Sequence, residues 1–288
     1  MKLQKASVRR VARWVAAASA VGFACLCYMY LTLPDVRPLK TSNPVTTAFI
    51  ELRAQEARAR GERPRRVQRW VSYRSMSRNI TRAVLVAEDD AFWQHEGVDV
   101  EQLQESLEAD LASGRFVRGG STITQQLAKN LYLSPSKNPL RKLKELIIAR
   151  RLEAELDKSR ILELYLNVIE WGDGIYGAEA AARTYFHTGA ASLGPSESAM
   201  LAGAIVNPRV LNPAHPNGRL LRRQELIMRR MGSVTPPPPV TGLPAPPPVG
   251  TVLPPDERAI DSSAAPDEPT AEPDSAEEPI PDLSSVPR

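Results

Sequence analysis

The sequence predicts a mostly α-helical domain carried behind one membrane-spanning helix and followed by an acidic, proline-rich tail. Three observations point there. Between Ser77 and Gly232, apolar residues recur at three- and four-residue spacing in one segment after another, and no alternating run of useful length marks a strand. Trp14 to Leu33 is twenty residues without a charged side chain, the length a helix needs to cross a hydrocarbon core of roughly 30 Å. From Ser233 to Arg288 lie 16 of the chain's 26 prolines, with ten acidic residues, two basic ones and no aromatic. Such a composition buries too little apolar surface to offset the entropy of ordering it. Residues 233–288 are therefore expected to be disordered, with polyproline stretches at Pro236 to Pro239 and Pro246 to Pro248.

Taken in order, residues 1–13 carry Lys2, Lys5, Arg9, Arg10 and Arg13 ahead of the apolar run at 14–33. That arrangement holds the N-terminus in the cytoplasm and sends the remainder across the membrane. A cleaved signal peptide would use Ala18 and Ala20 near its cut site, but the apolar run continues to Leu33. A lipoprotein signal at Cys25 is a poor match, because Gly22 stands where a branched aliphatic residue is usual. Cys25 and Cys27 are the only cysteines, so the exported part is expected to have neither thiol nor disulfide. With the acidic tail set aside, the rest of a chain of net charge +4 is strongly basic. A basic domain held at a membrane suits an anionic, lipid-linked partner, and nucleic acid is not expected outside the cytoplasm.

Residues 34–76 read as a basic connector with a short helix from Thr46 to Gly61, ended by glycine and by Pro64. The domain proper is expected over 77–232. Ser77 can cap a helix in which Ile80, Val84, Ala87 and Ala91 share a face, and that places Glu88 beside the buried stripe. Val100, Leu103, Leu107 and Leu111 form a second helix closed by Gly114, and a third runs from about Thr122 to Leu131. The longest pattern links Leu140, Leu143, Ile147, Ile148 and Leu152. Further helices are expected near residues 159–169, 177–186, 195–206 and 219–230.

Four motifs stand in order along this domain: EDDAFWQHEG (Glu88 to Gly97), GGSTITQQLAKN (Gly119 to Asn130), RKLKE (Arg141 to Glu145) and KSRILELYLN (Lys158 to Asn167). Read by themselves, their residues allow plain roles. Glu88 and Asp89 can be helix-surface carboxylates, and GGSTITQQ an ordinary glycine turn before a capped helix. Arg141 and Glu145, four apart, form an intrahelical ion pair. Two glycines before Ser121, Thr122 and Thr124 at a helix start also suit an anion held at free N–H groups. His95, beside Glu96 and Gly97, is expected to bond free carbonyls at a helix end.

Together the four motifs resemble the glycosyltransferase domain of class A penicillin-binding proteins and of monofunctional peptidoglycan transglycosylases, from about Pro44 to Met231. The resemblance implies a lysozyme-like helical fold that polymerises lipid II into β-1,4-linked glycan with release of undecaprenyl diphosphate. It makes Glu88 the catalytic base and Glu145 the second carboxylate of the site. Because a diphosphate is already a good leaving group, that second carboxylate need not be a strong acid. The resemblance assigns substrate contacts to Asp89, Gly120, Ser121, Thr122, Gln125, Gln126, Lys129, Arg141 and Lys142, and through the looser match RQELIM to Arg223. Asp89 would hold either Glu88 or a divalent cation, Mg or Mn.

The implied partners are lipid II, the nascent glycan strand, the membrane, and cell-wall or division proteins. The implied location is the bacterial inner membrane, with the domain on its periplasmic side. KSRILELYLN reads as structural, with Glu163 and Asn167 joining helices. SPSK (Ser134 to Lys137) has no transpeptidase partner motif and is treated as chance. Leu103, Leu107, Leu111, Phe116 and Val117 read either as core or as a segment dipping into the bilayer. Two rival functions remain at this level. A lytic transglycosylase would have no use for a cation-rich phosphate site, and a non-catalytic scaffold would not need both Glu88 and Glu145.

Overall fold

The computed structural model describes residues 2–101, 104, 105, 108, 120–134 and 138–232, with side chains from residue 12 onward. The acidic tail, the expected helix through Leu103, Leu107 and Leu111 with its closing Gly114, the pair Phe116 and Val117, Gly119, and Pro135 to Lys137 lie outside the described residues. So do the side chains of Lys2, Lys5, Arg9 and Arg10.

Helix α1 (Lys2–Leu31) carries an apolar stretch, Ala12–Leu31, none of which is buried in the protein. Trp14 and Phe23 are 74% and 70% exposed. A continuous apolar surface of this length is suited to lipid. The helix stops two residues short of the expected end because Pro34 disfavours helical backbone at Leu33. Leu33 turns inward and is buried. Arg151 fastens this junction: its Nη2 donates to the Tyr30 carbonyl at 2.6 Å, and its guanidinium lies 4.2 Å from the Tyr30 ring centroid. A cation at the last carbonyls of a helix also complements its dipole.

The body is built from α2 (Ala48–Ala59), α3 (Arg78–Glu88), α4 (Ile123–Tyr132), α5 (Pro139–Glu155), α6 (Lys158–Val168), α7 (Ala178–Phe186), α8 (Pro195–Ala204) and α9 (Gly218–Arg230). Ser77 caps α3 by accepting from Asn79 N–H, and Thr122 caps α4 by accepting from Gln125 N–H, both where the sequence placed helix starts. Helix α6 is the centre of the core. Every residue from Arg160 to Val168 is buried, as expected of a helix covered on all sides. Helix α4 packs on α5 and α6, and α8 packs between α3 and α9.

The structure departs from the sequence reading in two places. A small sheet of order β1-β3-β2 is present: β1 (Val67–Gln68) runs parallel to β3 (Ile175–Tyr176), and β3 runs antiparallel to β2 (Glu170–Gly172). Strands of two or three residues are too short to show a period of two, and β2 and β3 are buried on both faces, so no alternation existed to read. Gly174 at the β2–β3 turn has φ +67°, and an added Cβ would lie 2.7 Å from the Arg65 carbonyl oxygen.

Nor is the segment read as a connector a tether. Val36, Leu39, Tyr73 and Met76 are buried in the same core as α3 to α6. The buried Arg160 donates from Nε to the Leu39 carbonyl (2.8 Å) and from Nη2 to Ser42 O (2.9 Å) and Asn43 Oδ1 (2.8 Å), while its Nη1 pairs with Glu163. Glu163 Oε2 accepts from Tyr73 N–H at 2.7 Å, and Asn167 exchanges two hydrogen bonds with the Val71 backbone. Glu163 and Asn167 thus join α6 to the segment before α3.

Truncation should expose this difference. Removing residues 1–31 should leave the domain folded in detergent-free buffer. Removing residues 1–40 takes Leu33, Val36 and Leu39 from the core, at ~2–5 kcal/mol for each large side chain, and should lower the melting temperature by about 10 °C or more. Equal melting temperatures for the two truncations would show that 32–40 contributes no stability.

Candidate active site

The C-terminal end of α3, the N-terminal half of α4 and the first turns of α5 meet in one groove, with α6 behind it and α9 at one side. Helix α3 ends at Glu88 because Asp89 leaves helical backbone (φ −168°, ψ 81°). That bend sends the two neighbouring carboxylates in different directions.

Asp89 goes inward and is 2% exposed. Its Oδ2 accepts from Ile123 N–H at 2.8 Å, and its carboxylate takes His95 Nε2 at 2.9 and 3.1 Å. Gly97 N–H donates to His95 Nδ1 at 3.1 Å, so the ring hydrogen sits on Nε2 and points to Asp89. His95 therefore holds Asp89, and the expectation that it caps carbonyls is corrected. The Asp89–Ile123 bond clamps the end of α3 to the start of α4.

The GGSTITQQ segment also differs from expectation in its use of backbone donors. Ile123 N–H is taken by Asp89 and Gln125 N–H by Thr122 Oγ1 (3.2 Å), so two of the donors at the α4 N-terminus are used from within the protein. Thr122 Oγ1 also donates to the Gly97 carbonyl at 2.7 Å, and Thr124 Oγ1 to Glu153 Oε1 at 2.5 Å. Thr122, Thr124 and Gln125 are buried braces, while Gly120 and Ser121 stay partly exposed at the groove.

The positive charge comes from side chains. Glu145 is 3% exposed; its Oε2 accepts from Arg141 Nη1 and its Oε1 from Lys142 Nζ, both at 2.6 Å. Lys142 Nζ also donates to Ser121 Oγ (3.1 Å) and Gln125 Oε1 (2.9 Å). Glu145 thus holds two cations in place, and the expected Arg141–Glu145 pair is one half of that arrangement. Lys129 is partly buried, and its ammonium has no hydrogen-bond partner among the described residues. Burial pulls its pKa below the usual lysine value, helped by Arg141 and Lys142 and opposed by Glu145 and Glu88. It therefore stands among both carboxylates and both other cations.

Glu88 is partly exposed in the groove. Its Oε2 accepts from Gln126 Nε2 at 2.9 Å, and Oε1 has no partner among the described residues. Desolvation raises its pKa, against the lowering effects of the Gln126 hydrogen bond, Arg223 and Lys129, with Asp89 adding to the rise. Arg223 reaches this side of the groove because Gly203 lets α9 approach α8 closely. A Cβ there would lie 3.1 Å from Leu220 Cδ1, and Arg223 Nε donates to the Gly203 carbonyl at 3.0 Å.

The sequence-predicted residues accordingly divide. Glu88, Gln126, Lys129, Arg141, Lys142, Glu145 and Ser121 converge on the groove, with Arg223 facing Glu88, whereas Asp89, Thr122 and Gln125 lie beneath it. Tyr165, fully buried with its hydroxyl 2.9 Å from Gln126 Oε1, belongs to the site although its motif read as structural. Nothing in helical spacing distinguishes it from a packed core aromatic.

A carboxylate with one oxygen fixed by Gln126, near a lysine and two cations locked by a buried glutamate, has the chemistry to take a proton from a hydroxyl while a departing anion is stabilised. On a helical domain behind an apolar helix, this arrangement fits a group-transferring enzyme. The transglycosylase family model matches residues 55–232. A biosynthetic peptidoglycan transglycosylase of Dechloromonas aromatica is 48% identical over 189 residues, 66% of this chain and 82% of that protein. Those of Azoarcus sp. and Chromobacterium violaceum are each 44% identical, over 227 residues (78% of this chain, 98% of the relative) and 218 residues (75% and 95%). The chain belongs to the transglycosylase family.

Proposed function

We propose that this chain is a peptidoglycan glycosyltransferase that polymerises glycan strands from lipid II, with Glu88 as its general base. The observation that carries the reading is the Glu88 carboxylate itself: Oε2 is held by Gln126, Oε1 has no partner among the described residues, and Lys129 and Arg223 favour its ionised form. Glu88 Oε1 takes the proton of the acceptor N-acetylglucosamine 4-hydroxyl as that oxygen attacks C1 of the donor N-acetylmuramic acid. The C1–O bond to the diphosphate breaks, its electron pair leaves with undecaprenyl diphosphate, and the α-linkage becomes a β-1,4 bond. Lys129, Arg141 and Lys142 meet the departing charge, and Glu145 orders the last two rather than acting as an acid.

A base whose pKa is raised toward the working pH drives proton transfer better than an ordinary carboxylate, provided it stays ionised. Asp89 does not fit as a ligand for Mg or Mn. Both of its oxygens are engaged inside the protein, and no group of three or more His, Cys, Asp or Glu among the described residues forms a metal cluster.

The membrane side of the molecule supports a lipid-linked donor. A cavity of about 780 Å³ between α1, the end of α4 and the start of α5 is lined by apolar groups such as Leu26, Met29, Tyr132 and Leu140 and by Arg141 and Lys144. Arg141 is common to this cavity and to the cations of the groove, so a prenyl chain seated there would keep its diphosphate within reach. We place α1 in the inner membrane with the domain on the periplasmic face, on the strength of the N-terminal cations and the exposed apolar helix. Incubating the purified full chain with labelled lipid II should yield polymer. Cleavage of preformed strands would assign a lytic activity instead, and no reaction with either substrate would leave a scaffold.

A further inference from the structure

One buried hydroxyl beside the base has no part in the proton transfer or in anion binding. Tyr165 in α6 is fully buried, and its hydroxyl lies 2.9 Å from Gln126 Oε1, while Gln126 Nε2 lies 2.9 Å from Glu88 Oε2. This chain of hydrogen bonds has one self-consistent direction. A carboxylate only accepts, so the amide turns its NH2 to Glu88; its oxygen is left facing Tyr165, whose hydroxyl must donate. Burial raises the Tyr165 pKa well above that of an ordinary phenol, so the proton is retained.

We propose that Tyr165 is a positioning residue for the base: its hydroxyl locks the Gln126 amide in the one orientation that donates to Glu88 Oε2, leaving Oε1 as the oxygen presented to the acceptor hydroxyl. The proposal rests on the assignment of Glu88 as base. Without the hydroxyl, Gln126 Oε1 is a buried acceptor with no donor, and the orientation that gives Nε2 to Glu88 keeps only the 3.4 Å contact of Nε2 with the Ser121 carbonyl as further support. When the amide leaves that orientation, Glu88 loses the hydrogen bond that favours its ionised form. The other groups facing Glu88 are Asp89 beside it in the chain, Lys129 from α4 and Arg223 from α9. None of them touches the Tyr165 hydroxyl, so its removal isolates the relay.

The test uses Tyr165→Phe in the full chain in detergent micelles. The Glu88 carboxyl ¹³C resonance, assigned with Glu88→Gln, is titrated, and polymerisation of lipid II is measured against pH. The expected result is that the Glu88 titration and the acid limb of kcat/KM both move to higher pH. The neutral-pH kcat/KM should fall by about tenfold, the scale of one hydrogen bond to a charged group, with KM little changed. Gln126→Leu should give the same shift, and adding Tyr165→Phe to it should cost little more, because both changes break one relay. An equal fall in rate at every pH with an unmoved titration would assign Tyr165 to packing and overturn the proposal, as would additive losses in the double variant.

If Tyr165→Phe does not fold, 3-fluorotyrosine at position 165 keeps the shape and makes the hydroxyl a stronger donor. The Glu88 titration should then move to lower pH, and no movement would count against the relay. The titration needs no substrate. A wild-type protein that makes no polymer while the variants shift the Glu88 titration as expected would overturn the assigned activity and not the relay.

Discussion

Glu88→Gln is expected to abolish polymerisation while leaving a folded and slightly stabilised protein. Glutamine keeps the shape and can still accept from Gln126 Nε2, but it cannot take the acceptor proton. Loss of a positioned general base costs on the order of 10² to 10⁴ in rate. The stability effect follows from the raised pKa of Glu88, whose first cause is desolvation. A carboxyl with a folded-state pKa above its unfolded value of 4.5 favours folding most when protonated. Once pH rises above 4.5, its ionisation costs stability. The variant should therefore melt above wild type at neutral pH, and the two should converge as pH falls through 4.5. In the wild-type enzyme the same shift places the acid limb of kcat/KM above the usual glutamate range. Near-normal turnover by the variant, measured with labelled lipid II, would remove Glu88 from the chemistry.

Lys129→Ala should produce the second large loss. Of the three cations assigned to the diphosphate, Lys129 has no carboxylate contact among the described residues, whereas Arg141 and Lys142 are held by Glu145. Its ammonium should move most of its interaction to the substrate diphosphate. A hydrogen-bonded charge pair of this kind is worth roughly 1.5–3 kcal/mol, so kcat/KM should fall by about 10- to 100-fold. Binding of a phosphoglycolipid inhibitor such as moenomycin should weaken in step. Because burial lowers the Lys129 pKa, the alkaline limb of wild-type activity should lie below the lysine value of 10.5 and should disappear in the variant. Arg141→Ala is expected to act differently. It removes one phosphate contact and leaves the buried Glu145 with Lys142 as its remaining cation of that pair, so a stability loss should accompany the activity loss. Unchanged inhibitor affinity in both variants would place the diphosphate elsewhere.

Much of the local geometry around this site is legible in the sequence, since it depends on neighbours along the chain. Ser77 and Thr122 cap helices because a hydroxyl three or fewer residues from a free N–H is a property of the chain, not of the fold. Arg141 and Glu145 meet because a helix puts i and i+4 on one face. Asp89 shows where such reasoning ends. The family resemblance makes it a substrate contact that holds Glu88 or a divalent cation, but a single non-helical residue turns it onto Ile123, 34 residues away, and onto His95. Local patterns do not contain that change of direction.

The amino-acid order by itself determined the apolar N-terminal helix, the described helical segments of the domain and the intrahelical Arg141–Glu145 pair. Each depends on periodicity, on composition over a short window or on a motif. Tertiary structure alone decided that Leu33, Val36 and Leu39 are part of the core and that Lys142, while paired with Glu145, also reaches Ser121 and Gln125. It also decided that the Thr122, Gln125 and Asp89 side chains serve the frame, and that Tyr165 stands one amide away from the base. The hydrogen bonds from Lys142 to Gln125, from Tyr165 to Gln126 and from Arg160 to the Leu39 carbonyl join groups 17 to 121 residues apart in sequence. The physical reason is that burial and hydrogen-bond direction are set by what packs against a side chain, and helical spacing specifies only which way that side chain leaves its own helix.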